Sequence, residues 1–498
     1  MSFTVPTIEW AGLAPVLIIL GAGVLGVLVE ALVPRAGRLY TQAVLSALAV
    51  LGAGAAFVMR WAQVLPQDAS TGLVVPSGSV LTPGISEDPF GVAAQGIMLV
   101  IGLLSVLIMA DRTTAGDGAF AAQAADRPGS AEETESLHHG WTTTEVFPLT
   151  MFSLAGMMLF PMVNDFIALF VVLELISLPL YIMAATARHR RLLSQESALK
   201  YFVLGAFASA FLLLGSALLY GLSGSVSYTS IATRLAAGGG ADVIDMDWLG
   251  LAGVALVTVG LLFKTAAAPF HAWSPDVYQG APTPVTGFMA AGVKATAFLA
   301  LVRFYYMVGG SFGWDIAHAG YLLIGIIAFN GLAISALLLY ALAYGAATVG
   351  AFGVVTLVRA SHAGAAGAEA TDLESFAGLG RRSPWLAGAM TVFLLSFAGV
   401  PLTAGFIAKF ELFIAGVGGG ALWLVIAAVV SSAITAFFYM RLVVLMFFRD
   451  PQEDRVVVVG SMGPSGAAIT VAVFITVVLG VLPQAVLTLL GRAAMLLP

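Results

Sequence analysis

The stretch LLFKTAAAPFHAW, residues 261–273, decides how the chain is read. Lys264 stands near the end of an apolar run long enough to be a membrane span, and Pro269, five residues later, breaks the helix. An ionisable residue deep in a span costs at least about 2.5–3.5 kcal/mol, so the protein must supply polar surroundings for it. A break frees backbone amides and carbonyls, which are tolerated at membrane depth only inside protein or along a hydrated cavity. Charge and break together point to a polar interior in a membrane protein.

The rest of the chain agrees. Of its 498 residues, 60% are hydrophobic and 10% charged, with a mean hydropathy of +0.99, whereas soluble domains carry about 25% charged residues. With no cysteine there is no disulfide, thiolate metal site, iron–sulfur cluster or thiol nucleophile in this chain. Apolar runs of about 20 residues, enough to cross about 30 Å as helix, fall near 12–33, 39–62, 89–110, 145–163, 165–186, 195–221, 249–268, 283–308, 319–330, 333–358, 385–414, 419–448 and 465–487. The expected fold is an all-α polytopic membrane protein with about thirteen spans, some of them broken. The first run is followed by further spans without a small-residue cleavage site, so it reads as a retained helix and not a signal peptide.

Two hydrophilic interruptions stand out. Residues 111–144 are acidic and rich in small residues, so a flexible loop outside the membrane is expected. His138 and His139 within it read as solvated residues, not as a metal pair. Residues 359–383 read as an amphipathic linker on the membrane face.

Basic residues give an orientation. They cluster at Arg35 and Arg38, at Arg188, Arg190 and Arg191, at Arg381 and Arg382, and at Arg441, Arg449 and Arg455. The positive-inside rule makes these loops cytoplasmic and the N-terminus external. The run at 283–308 should then end outside, so an odd number of crossings must precede Arg381. Residues 318–358 read as two short crossings that turn at Asn330 and Gly331. Either this region crosses once with a re-entrant piece, or a helix is absent; the second reading is preferred.

Four ionisable residues lie deep in spans: Glu174 in DFIALFVVLELISLPLYIM, Lys264, Lys294 in PVTGFMAAGVKATAFLALV, and Lys409 in VPLTAGFIAKFELF. Snorkelling suits side chains at helix ends and suits the mid-span Glu174 and Lys294 poorly. Glu411 lies close enough in sequence to neutralise Lys409 structurally. Desolvation favours release of an ammonium proton and a nearby carboxylate opposes it, which makes a switchable proton site without a cofactor. Pro401 precedes Lys409 by eight residues, so the two lysines sit on opposite sides of their breaks, as inverted repeats would place them. His271 has two readings, a proton relay or a hydrogen-bond donor to a freed carbonyl. Glu196 and Lys200, four apart, read as a helix-surface pair near the cytoplasmic end or as a proton entry. Arg303 reads as an interfacial anchor.

The segments LELISLPLY (173–181), QESALKYFVLGAFASAFLLLGSALLYG (195–221), LLFKTAAAPFHAWSPDVYQGAPTPV (261–285) and FLLSFAGVPLTAGFIAKF (393–410) closely resemble the antiporter-like subunits of bacterial proton-pumping NADH:quinone oxidoreductase, respiratory complex I, and among them the subunit N type. The resemblance implies fourteen helices, with two inverted five-helix repeats and breaks in the seventh and twelfth. It divides the chain into a three-helix segment at 1–110, the loop at 111–144, a first repeat at 145–310, a second repeat at 311–450, and a C-terminal helix segment at 451–498. Glu174, Lys264, Lys294 and Lys409 match the family's buried glutamate and lysines. Family members carry a further helix, and a segment opening the next, before the motif that stands here as IAHAGYLL (316–323). This chain passes directly from SFGWD to that motif, so the second repeat reads as lacking one helix and its connecting lysine.

The resemblance implies a proton-translocating subunit of a bacterial plasma membrane. FMN, iron–sulfur clusters and quinone are expected in other subunits, and no cofactor in this chain. The implied partners are the antiporter-like M subunit, the small K and J subunits, and membrane lipids, with no nucleic acid. Two alternatives stand beside it: a subunit of a multi-subunit cation/proton antiporter, and a non-conducting scaffold of the membrane arm.

Overall fold

The computed structural model describes residues 8–65, 79–112, 118–123, 126–127, 130–139, 141–236, 247–308, 328, 330–362, 365–370, 372–450, 456–458 and 463–496. Its helices, in order, are α1 (Trp10–Leu32), α2 (Arg35–Val64), α3 (Pro89–Met109), α4 (Ala131–His138), α5 (Val146–Leu159), α6 (Phe166–Ala184), α7 (Arg191–Ser223), α8 (Tyr228–Ala236), α9 (Asp247–Thr265), α10 (Trp273–Gly280), α11 (Thr283–Phe288) and α12 (Lys294–Met307). There follow α13 (Gly331–Leu357), α14 (Pro384–Ala398), α15 (Ala404–Gly418), α16 (Leu422–Phe448), α17 (Pro464–Val481) and α18 (Gln484–Arg492). Among the described residues, ten helical segments are long and apolar enough to cross a membrane. The chain is an all-α, multi-pass membrane protein. Each expected apolar run is helical among the described residues except 319–330, which lies outside them apart from Ala328 and Asn330.

Local sequence sets several helix starts. Asp88 caps α3, accepting from Gly91 N at 2.7 Å, with Pro89 at the first helical position. Asp165 caps α6 through Ala168 N at 2.6 Å, and Asn330 caps α13 through Ala333 N at 2.8 Å. α11 and α12 are joined by a π-helical turn, Met289–Val293, which ends at Lys294. That span is the buried axis of the bundle, 94% of its apolar window being enclosed by protein, against 17% for the peripheral α16.

Both expected breaks are present. α9 stops at Thr265 and α10 resumes at Trp273, with a cis Ala268–Pro269 peptide between them; α14 stops at Ala398 and α15 resumes at Ala404. Each break holds a non-glycine residue in the left-handed region, Ala266 at φ 53° and Leu402 at φ 71°, a conformation that costs of order 1–3 kcal/mol and persists only where the surroundings enforce it.

Asn330 does mark a helix start. Its carbonyl accepts from Tyr306 Oη at 3.4 Å, so α13 begins beside the end of α12, and it runs unbroken to Leu357. The expected junction at Asp315 and Ile316 lies outside the described residues.

Two hydrophilic stretches differ from expectation. The 111–144 stretch was expected to be a flexible loop, but it carries α4 and a docked segment. Ala119–Ala122 are buried, Phe120 bridges Ala187, and Glu133 lies 3.5 Å from Arg191. Acid–base pairing with the basic loop before α7 gives it a fixed seat. In place of an amphipathic linker, 359–383 opens with β1 (Val358–His362) and β2 (Ala365–Glu369), which pair antiparallel, with β3 (Val456–Val458) on the other edge of β1. Glu369 reaches Arg190 at 3.7 Å, and Arg381 reaches Asp450 at 2.6 Å. The basic clusters at 35–38 and 188–191 meet these elements, Arg35 through Trp141, Arg190 through Glu369 and Arg191 through Glu133. At the far end of α2, by contrast, Arg60 pairs with Glu87.

Candidate functional site: a buried chain of charges and aromatic rings

The first break places Lys264. It is 2% exposed, and its Nζ donates to Ser177 Oγ at 2.8 Å and to Tyr181 Oη at 3.2 Å. Glu174, Ser177 and Tyr181 are spaced i, i+3 and i+7 on α6, so they share one face. The Glu174 carboxylate accepts from Ser209 Oγ on α7 at 2.8 Å and makes no ion pair with Lys264 among the described residues. The glutamate and lysine therefore face each other through a hydroxyl pair one turn long. Gly205, between Tyr201 and Ser209 on α7, makes room for the Tyr181 hydroxyl, which a Cβ there would strike.

The break itself is closed by aromatic and backbone groups. Phe263 O, freed by the end of α9, accepts from Ala266 N at 3.0 Å and from the Trp273 indole N–H at 2.9 Å. Trp273 stacks on Tyr201 at 4.9 Å between centroids and meets Tyr278 edge-on at 5.9 Å. Lys264 Nζ lies 5.7 Å from the Tyr201 ring centroid, and Lys294 Nζ lies 5.3 Å from that of Tyr278, both within cation–π range. Tyr201, Trp273 and Tyr278 thus bridge the two lysines. The Tyr201 and Tyr278 hydroxyls are buried with no hydrogen-bond partner among the described residues, which marks the bridge as a place for bound water.

At the second break Lys409, 9% exposed, donates to Phe397 O at 2.7 Å and to Ser432 Oγ at 2.9 Å. Ser432 in turn donates to Ala398 O at 3.3 Å. The lysine thus answers carbonyls at the C-terminal end of α14, where the helix dipole favours a cation. A cavity of about 140 Å³ adjoins it, lined by Tyr340, Tyr344, Ser396, Thr435 and Tyr439 among others.

The secondary candidates lie apart from this line. His271 is exposed on the break, and it is its carbonyl that accepts, from Ser274 N and Oγ, each at 3.0 Å. Lys200 pairs with Glu196 at 2.6 Å, as its spacing suggested, and also with Asp276 of α10 at 2.7 Å. Arg303 corrects the expectation of an interfacial anchor. It is 1% exposed, donates to both carboxylate oxygens of Asp88 at 2.7 Å, and bonds Pro161 O. Asp88 is free to take it because an N-cap uses one lone pair and leaves the others open.

A family model described as NADH:quinone oxidoreductase/Mrp antiporter, transmembrane, matches residues 163–315 and again 313–435. NADH-quinone oxidoreductase subunit N of Beutenbergia cavernae is 46% identical, with 99% of each chain covered. Its namesake from Mycobacterium bovis is 42% identical over 100% of both. The chain belongs to the NADH-quinone oxidoreductase subunit N family. A chain of respiratory complex I from Thermus thermophilus, solved with bound aureothin, is 29% identical with a TM-score of 0.70, covering 95% of this chain and 98% of that one. A chain of the Mrp complex from Dietzia, at 19% identity and a TM-score of 0.71 over 98% and 97%, shares the fold.

Within the subunit N family this chain is short in one respect. Its alignments with relatives run from 521 to 547 residues against its own 498, and the family model divides at residues 313–315. The residues that pure sequence reading passed over are the partners of the charges: Ser177, Tyr181, Tyr201, Ser209, Trp273, Tyr278, Asp276 and Ser432. A signal for the first four exists in the polar positions i, i+3 and i+7 on α6 and i and i+8 on α7.

Proposed function

We propose that the chain is the proton-translocating subunit N of a NADH:quinone oxidoreductase, with no redox centre of its own. One observation carries the reading: Lys264, buried at a helix break, is held by two hydroxyls of the same helix face that presents Glu174 one turn away. A small movement of Glu174 changes the field at Lys264 while the hydroxyls keep its geometry, which is the differential interaction that coupling requires. Protons then pass from Lys264 to Lys294, with the Tyr201 and Tyr278 hydroxyls as the titratable groups between them and Trp273 holding the two rings in place, and on toward Lys409. Quinone reduction supplies the charge movement from elsewhere in the complex, where FMN and iron–sulfur clusters reside. The M, K and J subunits flank the chain in a bacterial plasma membrane, with the N-terminus outside and the arginine clusters inside. Residues 145–310 and 311–450 act as two inverted repeats, the second one helix short at Asp315.

The test is Lys264→Met in the assembled complex. Electron transfer with abolished or strongly reduced proton pumping is expected; unchanged protons per electron would overturn the reading. The shortened alignment favours one rival, a non-conducting scaffold, for which all four charge substitutions would leave pumping unchanged. A cation/proton antiporter would instead show sodium-dependent transport in vesicles without NADH.

A further inference from the structure

A cleft of about 310 Å³ opens beside the turn between α1 and α2. It lies far along the chain from the buried charges, and the proton-transfer reading makes no use of it. Three guanidinium groups line it, those of Arg35, Arg38 and Arg112, together with Trp141. Two carboxylates line it as well. Glu30 is already engaged, accepting from Gln42 at 2.6 Å and lying 3.4 Å from Arg38, whose Nε is spent on Val33 O at 2.7 Å. Glu145 is exposed to solvent. Arg35 and Arg112 form no ion pair among the described residues; the Arg35 guanidinium lies 4.1 Å from the centroid of Trp141, and the His139 ring stacks on that indole at 5.1 Å. The cleft therefore offers cations aimed at no carboxylate of its own, steadied by an aromatic wall.

Its position fixes the kind of anion. Arg35 is the first residue of α2, a membrane-crossing helix, and the exposed face of that helix continues away from the cleft as Tyr40, Val44, Leu48 and Leu51. These positions fall at helical spacing on one stripe. A cationic pocket with tryptophan and tyrosine at the water boundary, continuous with an apolar stripe below it, matches a phospholipid from headgroup to acyl chain. A free phosphate would use only the upper part.

We propose that this cleft is a binding site for one anionic phospholipid, its phosphate between Arg35 and Arg112 and its acyl chains along the exposed face of α2. The proposal rests on the multi-pass fold and stands whether or not the chain conducts protons.

Native mass spectrometry of the full-length chain in neutral detergent tests it, with phosphatidylglycerol, phosphatidylcholine or inorganic phosphate added. One phosphatidylglycerol should be retained about tenfold more strongly than phosphatidylcholine, and inorganic phosphate should not displace it. R35Q/R112Q should lose that preference, because the two interfacial cations are what distinguishes the anionic headgroup. R381Q, on a different basic loop, should keep it. Equal retention of the two lipids by the unaltered chain would overturn the site even if the double variant did not fold. Displacement by inorganic phosphate would overturn the lipid assignment, and loss in R381Q would reduce the effect to general surface charge.

Discussion

Lys264 of α9 and Ser177 of α6 meet side chain to side chain at 2.8 Å, and Ser177 stands one turn from Glu174 on α6. In the proposed function the serine stands between the buried ammonium and the carboxylate proposed to tune it. Its own hydroxyl also donates to Leu173 O at 2.6 Å, which leaves its lone pairs aimed at the lysine. Ser177→Ala should lower proton pumping several-fold while electron transfer continues. The lost bond to a buried charge is worth about 1.5–3 kcal/mol. Pumping in reconstituted vesicles measures it, and a variant indistinguishable from the parent would show that Ser177 is only packing.

Gly205 tests the same site from the other side. A methyl group there would displace the Tyr181 hydroxyl from Lys264. Gly205→Ala is expected to impair pumping and to cost about 1–3 kcal/mol by overpacking. Tyr181→Phe in that background should recover part of the stability, because the colliding oxygen is gone. A double-mutant cycle in thermal melting reads the coupling; simple additivity would count against the steric account.

Tyr278 separates ring from hydroxyl. Tyr278→Phe keeps the ring beneath Lys294 and removes the buried unpartnered oxygen, whereas Tyr278→Leu removes both. The leucine variant should be the less stable by about 1–2 kcal/mol, the range of a desolvated cation–π contact. The phenylalanine variant should retain stability yet pump more slowly if the hydroxyl helps carry the proton. Parallel melting and pumping assays distinguish the two losses.

Arg303 and Asp88 concern stability alone. Both are fully enclosed, so removing one partner strands a buried charge. Asp88→Ala or Arg303→Ala should each cost about 3–5 kcal/mol, and Arg303→Met with Asp88→Leu clearly less than the sum. Denaturation of the purified chain in detergent checks the ordering. An additive double variant would mean that the two charges do not share one interaction.

At the exposed end of α7 the expectation is the opposite. Lys200, Glu196 and Asp276 are each more than a third exposed. Solvent screening therefore limits Asp276→Asn to under about 1 kcal/mol, and the difference should fade at high salt. A large, salt-independent loss of stability would give this triad a weight that its exposure does not support.

Much of this was legible in the sequence. Hydropathy located the spans because lipid demands unbroken apolar length, and Pro269 and Pro401 located both breaks because proline cannot continue the hydrogen-bond ladder. Glu174, Lys264, Lys294 and Lys409 announced themselves by their cost in hydrocarbon. Their partners did not, because a serine or tyrosine costs little anywhere in a span, and its significance comes from a neighbour distant in sequence. Ser177 and Lys264 are 87 positions apart. Arg303 was misjudged for the same reason: its partner Asp88 sits 215 positions away at a helix cap. The docked 111–144 stretch escaped notice because composition reports what a segment can bury alone, and not the Arg191 it packs against.

The two breaks hold their lysines by different kinds of attachment. Lys264 is tied sideways, to hydroxyls on another helix, whereas Lys409 is tied to the Ser432 hydroxyl and also end-on, to a carbonyl where α14 stops. A displacement of α6 relative to α9 acts on the first attachment, and a change in the bend between α14 and α15 acts on the end-on part of the second. The two breaks therefore hold their lysines against different motions, one between helices and the other at a bend.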